Sequence, residues 1–346
     1  MKGESPFVIE SPKDSEQLKY RNKSSDKLHG YNGYGNKHIR LIVNNDFDDA
    51  SFVLQIVSDG TQLTAEAIYR GELFDINNPI LVTDTPESIG MTMPKTLSVR
   101  DVANCIGFSF PINVMDVSTQ QELPDWTMQD LVDYFECPIR KKKMEDYEKT
   151  TKIDRNTKIL KKRKASSTKS MSQDDLILPK VLNQISLEFS KTPLISLVQS
   201  PKFVRDVDWI DIAWPKSRRE RFQYPQVQYY CLTSTAGCYT DFHIDFGGTS
   251  VWYHVISGQK TFLLIPPTNA NLEKYEEWLC NPKQSDCFFA NLVEKCFKIH
   301  VCAGKTLIIP TGWIHAVYTP VDAVVIGGNF LHSLNISGQV RIILCF

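Results

Sequence analysis

Tyr239-Thr240-Asp241-Phe242-His243-Ile244-Asp245-Phe246-Gly247-Gly248 is the stretch on which the reading of this chain turns. His243 and Asp245 stand two apart, so on a β-strand their side chains leave the same face and converge on one ion. An imidazole nitrogen and a carboxylate oxygen are two thirds of a 2-His-1-carboxylate facial triad, the donor set that holds non-haem Fe(II) and leaves positions open for a cosubstrate and O2. The missing ligand has to be a distant histidine. His315, in Pro310-Thr311-Gly312-Trp313-Ile314-His315-Ala316-Val317, lies several strands further on, a separation that a jelly-roll barrel closes by laying the two strands side by side. The other histidines fit this role less well. His254 and His332 read as core or turn residues, His300 alternates with apolar neighbours, and His29 and His38 lie in or beside a polar tail. A lone His-x-Asp is common on strands. Followed by Gly-Gly and then by Pro-x-Gly-Trp-x-His at barrel spacing, it is a specific signal.

Working outward, the 346 residues include 42% hydrophobic and 11% aromatic side chains, enough to fill a real core. The formal net charge of -1 excludes a chain that is basic overall, although basic residues are clustered locally. Nine cysteines are scattered singly, without a Cys-x-x-Cys pair, and Met1-Lys2-Gly3-Glu4-Ser5 opens no apolar signal segment. The expectation is an intracellular, reduced protein. No apolar run approaches the roughly 18 residues of a membrane span, so none is expected.

Residues 1–38 are polar and Gly-rich and are expected to be a disordered tail. Residues 39–43 read as a strand, 49–57 as a short helix leading to 65–69, and 79–82 as a buried strand. A helix capped by Thr96 or Ser98 runs to Gly107, a strand covers 114–117, and a helix capped by Thr127 or Asp125 follows. Residues 138–178 carry Arg140-Lys141-Lys142-Lys143 and Lys161-Lys162-Arg163-Lys164 and read as a basic flexible insert. It is either a solvated loop, or a nuclear-localisation signal or patch for DNA or phosphate. From 179 onward, short apolar segments at 185–189, 226–232, 251–256, 261–265, 298–301, 306–310, 315–318 and 323–329 indicate a barrel or sandwich. One helix interrupts them at 272–279, with Asn271 as its expected cap. The organisation expected is a tail at 1–38, an α/β region at 39–137 packed on a barrel, the insert at 138–178 and the barrel at 179–346.

Tyr239 to His254, the Lys260 strand, Ile265-Pro266-Pro267-Thr268, the segment around His315 and Gly327-Gly328-Asn329-Phe330-Leu331-His332-Ser333 together resemble the JmjC-domain histone lysine demethylases. The closest branch is that of the F-box/CXXC and PHD-finger demethylases. Gly90-Met91-Thr92-Met93-Pro94, Val114-Met115-Asp116-Val117 and Ile185-Ser186-Leu187-Glu188-Phe189-Ser190 extend the likeness to about 45–137 and 180–336. It implies a mainly β fold with flanking helices, a double-stranded β-helix (jelly-roll, cupin-like) JmjC barrel. It also implies Fe(II) held by His243, Asp245 and His315, with 2-oxoglutarate as cosubstrate and O2. Lys260 and Thr240 would meet the far carboxylate of 2-oxoglutarate, and Asn183 and Tyr253 would line its pocket.

Read on their own residues, these positions keep alternatives. Lys260 leads into an apolar strand, which is costly unless a carboxylate meets it, or points to water from an edge strand. Strict alternation puts Thr240 on the face opposite His243 and Asp245, so a bulge or a later strand start is needed. Asn183 and Tyr253 also read as an ordinary polar strand residue and a packed core aromatic.

The activity implied by the resemblance is hydroxylation of an N-methyl lysine, whose hemiaminal collapses to formaldehyde while 2-oxoglutarate becomes succinate. Mono- and dimethyl marks on the histone H3 tail of nucleosomes, in the nucleus, would be the substrates. Leu264-Ile265-Pro266-Pro267-Thr268 and Tyr318-Thr319-Pro320 favour the lysine 36 side over lysine 9 or 27. A protein hydroxylase with a stable product and an inactive chromatin-binding scaffold are the rival readings. Acidic residues at 207–211 and 273–277 are candidates for a groove facing a basic tail, with a solvated face as the plainer reading of each. The cysteines supply no PHD or CXXC zinc spacing. Asn335-Ile336-Ser337-Gly338 onward departs from the family's helical continuation, as a fragment or an altered terminus would. Oligomeric state leaves no signal in the sequence.

Overall fold

Two long strands carry the fold, each bent so that its halves serve different sheets. The computed structural model describes residues 37–119, 121–143 and 180–345. Its strands are β1 Gln55–Val57, β2 Ile80–Val82, β3 Val114–Asp116, β4 Gln121–Leu123, β5 Leu182–Glu188, β6 Tyr230–Ser234, β7 Tyr239–His243, β8 Ser250–Ile265, β9 Phe297–Cys302, β10 Thr306–Ile309 and β11 Ile314–Phe330. The helices are α1 Lys37–Asn44, α2 Ala65–Arg70, α3 Val99–Ile106, α4 Met128–Glu136, α5 Lys202–Val207, α6 Trp209–Ile212, α7 Lys216–Arg219, α8 Asn269–Cys280 and α9 Ile336–Cys345, and residues 138–143, at the start of the expected flexible insert, are helical as well. Residues 1–36 of the expected tail and 144–178 of the expected insert lie outside the described residues.

The first half of β8 lies between β10 and β11, and its second half between β9 and β11. The second half of β11 pairs with β6, and its first half pairs with β7. Two antiparallel sheets therefore face each other across an interior, joined through β8 and β11, as in a jelly-roll barrel. The strands expected at 251–256 and 261–265 are one strand, as are those at 315–318 and 323–329. The bend in β8 falls at Gly258, where φ is +81° and an added Cβ would stand 2.1 Å from the Asp322 carbonyl oxygen. Register shifts between Tyr318 and Val325 bend β11 at the matching level.

Alternation sorts the core into layers. Val251, Tyr253, Val255, Phe262, Leu264, Val301, Leu307 and Val325 fill the barrel interior. A second cluster, with Ile80, Val102, Leu131, Phe189 and Phe203, packs α3, α4 and α5 on the outside of one sheet. A third packs α1 and α8 on the other, through Ile42, Leu272, Trp278, Phe242 and Phe289. Sheet pairing is continuous across residues 144–179, because β3 bonds β5 and β5 bonds β6.

Several local expectations need correction. Residues 39–43 are helical, not a strand. Ile39 and Ile42, three apart, are the buried pair, a helical spacing that a short apolar run does not display unambiguously. His38 is no tail residue; it is 2% exposed and its ring packs against Tyr239 and Phe288. The expected helix at 49–57 is a single 3-10 turn, Ala50–Phe52, followed by β1. Thr268, not Asn271, caps α8, its hydroxyl accepting from Asn271 N. Ser98 and Thr127 do cap α3 and α4, each in a reciprocal capping box with Asp101 or Asp130. The first residue of the basic run is structural. Arg140 is 5% exposed, binds Asp322 at 2.6 Å and lies over the rings of Tyr134 and Phe135.

Candidate metal centre

His243 is the last residue of β7, and Asp245 follows it in the approach to a 3-10 turn, Phe246–Gly248. His315, near the start of β11, is the direct cross-strand partner of His243. The two imidazoles lie 4.2 Å apart by ring centroids, and His315 Nε2 is 3.7 Å from Asp245 Oδ2. One donor atom from each of the three residues lies within 4.8 Å of the other two. Donors about 2.1 Å from a first-row ion lie roughly 3 to 4 Å from one another, so the trio has the span of a metal site. Among the described residues it is the only His/Cys/Asp/Glu group of this kind.

The hydrogen bonds around the rings fix which nitrogen is free. His243 Nδ1 lies 2.8 Å from the Asp241 carbonyl and His315 Nδ1 3.0 Å from the Trp313 carbonyl. A carbonyl only accepts, so each Nδ1 carries the proton and each Nε2 keeps its lone pair for an ion. Burial and the neighbouring His243 hold the His315 pKa well below its ordinary value, so the ring is neutral. Burial raises the Asp245 carboxyl, opposed by His243 and by a hydrogen bond with Asn329. Asn329 Nδ2 also donates to Thr249 Oγ1 at 2.8 Å, and Thr249 donates on to the Phe246 carbonyl. The turn that carries Asp245 is thus tied to β11 from below.

Thr240 joins this face through a bulge. His315 pairs with His243 and Val317 with Thr240, so β7 uses three residues where β11 uses two. Tyr239 and Phe242, also three apart, both point outward into the α8 layer, which leaves Thr240 on the His243 side. Its side chain is exposed there.

Lys260 lies at the other end of the interior. It is 3% exposed, and Nζ donates to Ser234 Oγ and Thr319 Oγ1, both at 2.8 Å. No carboxylate pairs with it among the described residues, and burial lowers its pKa to about 8. An ammonium held only by hydroxyls in an apolar barrel carries a charge that the described residues do not compensate. Ser234 passes the chain on by donating to Asn183 Oδ1 at 2.8 Å. Tyr253 stands edge-on to Phe262 at 5.1 Å in the interior core. Along β11, His315, Val317 (opposite Thr240) and Thr319 follow at two-residue steps of roughly 6.6 Å, stringing metal ligand, hydroxyl and cation along one face.

The remaining histidines hold structural posts. His254 Nδ1 meets Thr306 Oγ1, His332 Nε2 meets Ser250 Oγ, and His300 Nδ1 meets Thr261 Oγ1. Of the acidic candidates, Asp208 is 1% exposed and accepts from Gln228, so it forms no open groove. Glu273, Glu276 and Glu277 lie on a solvated helix face. Sequence reasoning missed Ser234, Thr319 and Asn329. Thr319 is four residues from His315 and so on the same face in an unbroken strand, which was a usable signal. Nothing local marks Asn329.

The profile of a cupin-like domain matches residues 109–336. The chain belongs to the cupin-like domain family. The facing sheets agree with a cupin-like fold, and the donor set of the trio fits an iron site. Lysine-specific demethylase 2A of Xenopus tropicalis is 42% identical over 295 residues, which cover 82% of this chain and 22% of that protein. Histone lysine demethylase PHF8 of Danio rerio is 42% identical over 283 residues, 82% of this chain and 23% of the relative. JmjC domain-containing histone demethylation protein 1 of Caenorhabditis elegans is 38% identical over 290 residues, 78% and 23% respectively. The chain therefore spans less than a quarter of the length of these relatives, each of which is named for demethylation, one of them as a JmjC-domain protein, in line with the resemblance read from the motifs. Among the described residues, no helix is long and apolar enough to cross a membrane.

Proposed function

We propose that this cupin-like domain is an Fe(II)- and 2-oxoglutarate-dependent demethylase of N-methyl lysine in histone H3, acting on mono- and dimethyl marks in the nucleus, with lysine 36 favoured over 9 or 27. The observation that carries the reading is the pairing of a three-donor trio with a buried, carboxylate-free lysine on the same barrel face. His243, Asp245 and His315 would hold the iron, which supplies oxidation of a C–H bond when bound with the cosubstrate and O2.

The residues of the chain do the rest. Lys260 receives the distal carboxylate of 2-oxoglutarate as a charge-assisted hydrogen bond, while Ser234 and Thr319 orient its Nζ. Thr240, on the bulge, offers a second donor to that ligand, and Asn183 and Tyr253 complete the wall. The Asp241 and Trp313 carbonyls hold the Nδ1 protons and so aim the two Nε2 lone pairs. The apolar interior around Phe262, Leu264 and Val325 excludes water from the reacting centre. Names of the relatives support the substrate class, and Lys141, Lys142 and Lys143 within the expected insert keep DNA or phosphate contact as part of the reading.

Incubation of the chain with Fe(II), 2-oxoglutarate and a panel of methylated H3 peptides, read by mass spectrometry, tests this. Loss of a methyl group is expected, strongest on the dimethylated lysine 36 peptide and absent in His243→Ala. Gain of one stable oxygen would replace demethylation by hydroxylation, and no turnover of 2-oxoglutarate with any peptide would favour a scaffold.

A further inference from the structure

Of the three donors only Asp245 lies off the sheet ladder, since His243 and His315 are paired directly and His315 also pairs with Leu264. Asp245 lies beyond the end of β7, and His315 is the second residue of β11. From the barrel side, Asn329 and Thr249 hold the Asp245 turn. From the outside, one element touches both this turn and the turn that leads into His315.

We propose that helix α9 is a clamp that fixes the turn carrying Asp245 against the turn that leads into His315, with Ile342 and Gln339 as its positioning residues. Gly248, three residues after Asp245, has φ +61°, and a Cβ added there would lie 3.0 Å from Ile342 Cβ and 3.4 Å from the Gln339 carbonyl. Gly312, three residues before His315, has φ +79°, and its added Cβ would lie 3.3 Å from Ile342 Cδ1 and Cγ1. Each loop closes on the same isoleucine because neither has a side chain in the way. Gln339 Nε2 donates to the Gly247 carbonyl at 3.3 Å, a second tie to the Asp245 turn.

The rest of the helix does not compete with this role. Gln339 and Ile342 are its buried residues, three apart on one stripe, whereas Ile343 and Leu344 are 56% and 80% exposed. The surface that α9 buries is therefore the surface of these two turns. Groups hydrogen-bonded to metal ligands change affinity by roughly 10- to 100-fold when removed, and a contact one step further out is set at the low end of that range. The inference rests on the reading of His243, Asp245 and His315 as ligands.

The test uses the full chain with Co(II) as an oxygen-stable probe. Calorimetry gives its Kd, visible absorption reports its coordination, and thermal unfolding of the metal-free protein reports stability separately. Ile342→Ala is expected to weaken Co(II) by about tenfold and shift its absorption bands, Gln339→Ala by a few-fold, with Ile342→Leu restoring affinity. Ile343→Ser and Leu344→Ser, on the open face, are expected to bind like the parent. If Ile342→Ala does not fold, Ile342→Val carries the same measurement at smaller amplitude. A variant that loses thermal stability but keeps the parent Kd within about twofold overturns the clamp. A parent chain that binds no Co(II) overturns the metal reading itself, a result readable before any variant is made.

Discussion

Replacing Lys260 by methionine is expected to stabilise the ligand-free protein while removing its affinity for 2-oxoglutarate. The ammonium is buried without a counter-charge, and its pKa falls from 10.5 to about 8. At about 1.4 kcal/mol per pKa unit, burying the charge costs the folded state about 3 kcal/mol. Below pH about 8 the group is charged in both states and the cost is fully present. Between about 8 and 10.5 the folded state releases its proton first, and the cost is relieved as pH rises. Methionine keeps the volume and removes the charge, but deprives the Ser234 and Thr319 hydroxyls of a donor, which returns roughly 1 to 2 kcal/mol. Ser234 retains its bond to Asn183. The net expectation is a gain of about 1 to 2 kcal/mol at pH 7, a Tm raised by a few degrees, and loss of the stability gain above pH 8. Leaving a buried ligand carboxylate unpaired costs about 2 to 5 kcal/mol, so 2-oxoglutarate affinity should fall by at least about thirtyfold. Thermal shift with and without 2-oxoglutarate and a metal ion reads both effects, since a ligand that binds only the folded state raises Tm. A Lys260→Met protein that is less stable than the parent, or that keeps the parent's 2-oxoglutarate shift, refutes the assignment of Lys260 as an anion site.

Thr240→Val is expected to weaken 2-oxoglutarate by about three- to tenfold, the scale of one hydrogen bond to a charged group, with Co(II) affinity unchanged in calorimetry. Asp245→Asn should abolish high-affinity Co(II) binding while leaving the far-ultraviolet circular dichroism of the barrel intact. Gly258→Ala combines a φ of +81° with a Cβ 2.1 Å from a carbonyl, and should lose more than about 3 kcal/mol in urea unfolding. Arg140→Met breaks a buried guanidinium pair with the partly exposed Asp322 and two ring contacts, and should cost about 2 kcal/mol in the same assay.

What the sequence makes legible follows from where a periodicity of two holds. Along the second half of β8, Lys260, Phe262 and Leu264 alternate inward without interruption, so the structure selects the buried one of the two orientations that the residues alone left open for Lys260. The same logic fails for Thr240, because one extra residue in β7 between it and His243 reverses its face, and no residue type announces that bulge. His38 and residues 39–43 were misread because a short apolar run next to a polar tail gives no period long enough to separate helix from strand. The two long strands were each read as a pair because Gly258 and the Thr319-Pro320 region carry turn residues, which here bend a strand instead of ending it. Asn329 and Ile342 act on the site through tertiary contacts across long sequence separations, for which local pattern has no signature.

The groups that would do the chemistry are also those that burden the ligand-free fold. Burial raises the Asp245 carboxyl, lowers the His315 imidazole and lowers the Lys260 ammonium, so in each case the interior disfavours the charged form. A cation at the trio reverses the first effect and uses the second, because a carboxylate is stabilised beside the ion and a neutral imidazole is the form that binds it. An anion beside Lys260 reverses the third. The metal and dicarboxylate of the proposed reaction would each meet an electrostatic deficit that the residues create, and the two deficits have opposite sign at opposite ends of one barrel face. A rigid barrel with a clamp over the loops is what keeps such deficits from being relaxed by local rearrangement, since a Lys260 free to reach water, or an Asp245 free to swing outward, would lose its ligand-binding advantage along with its cost.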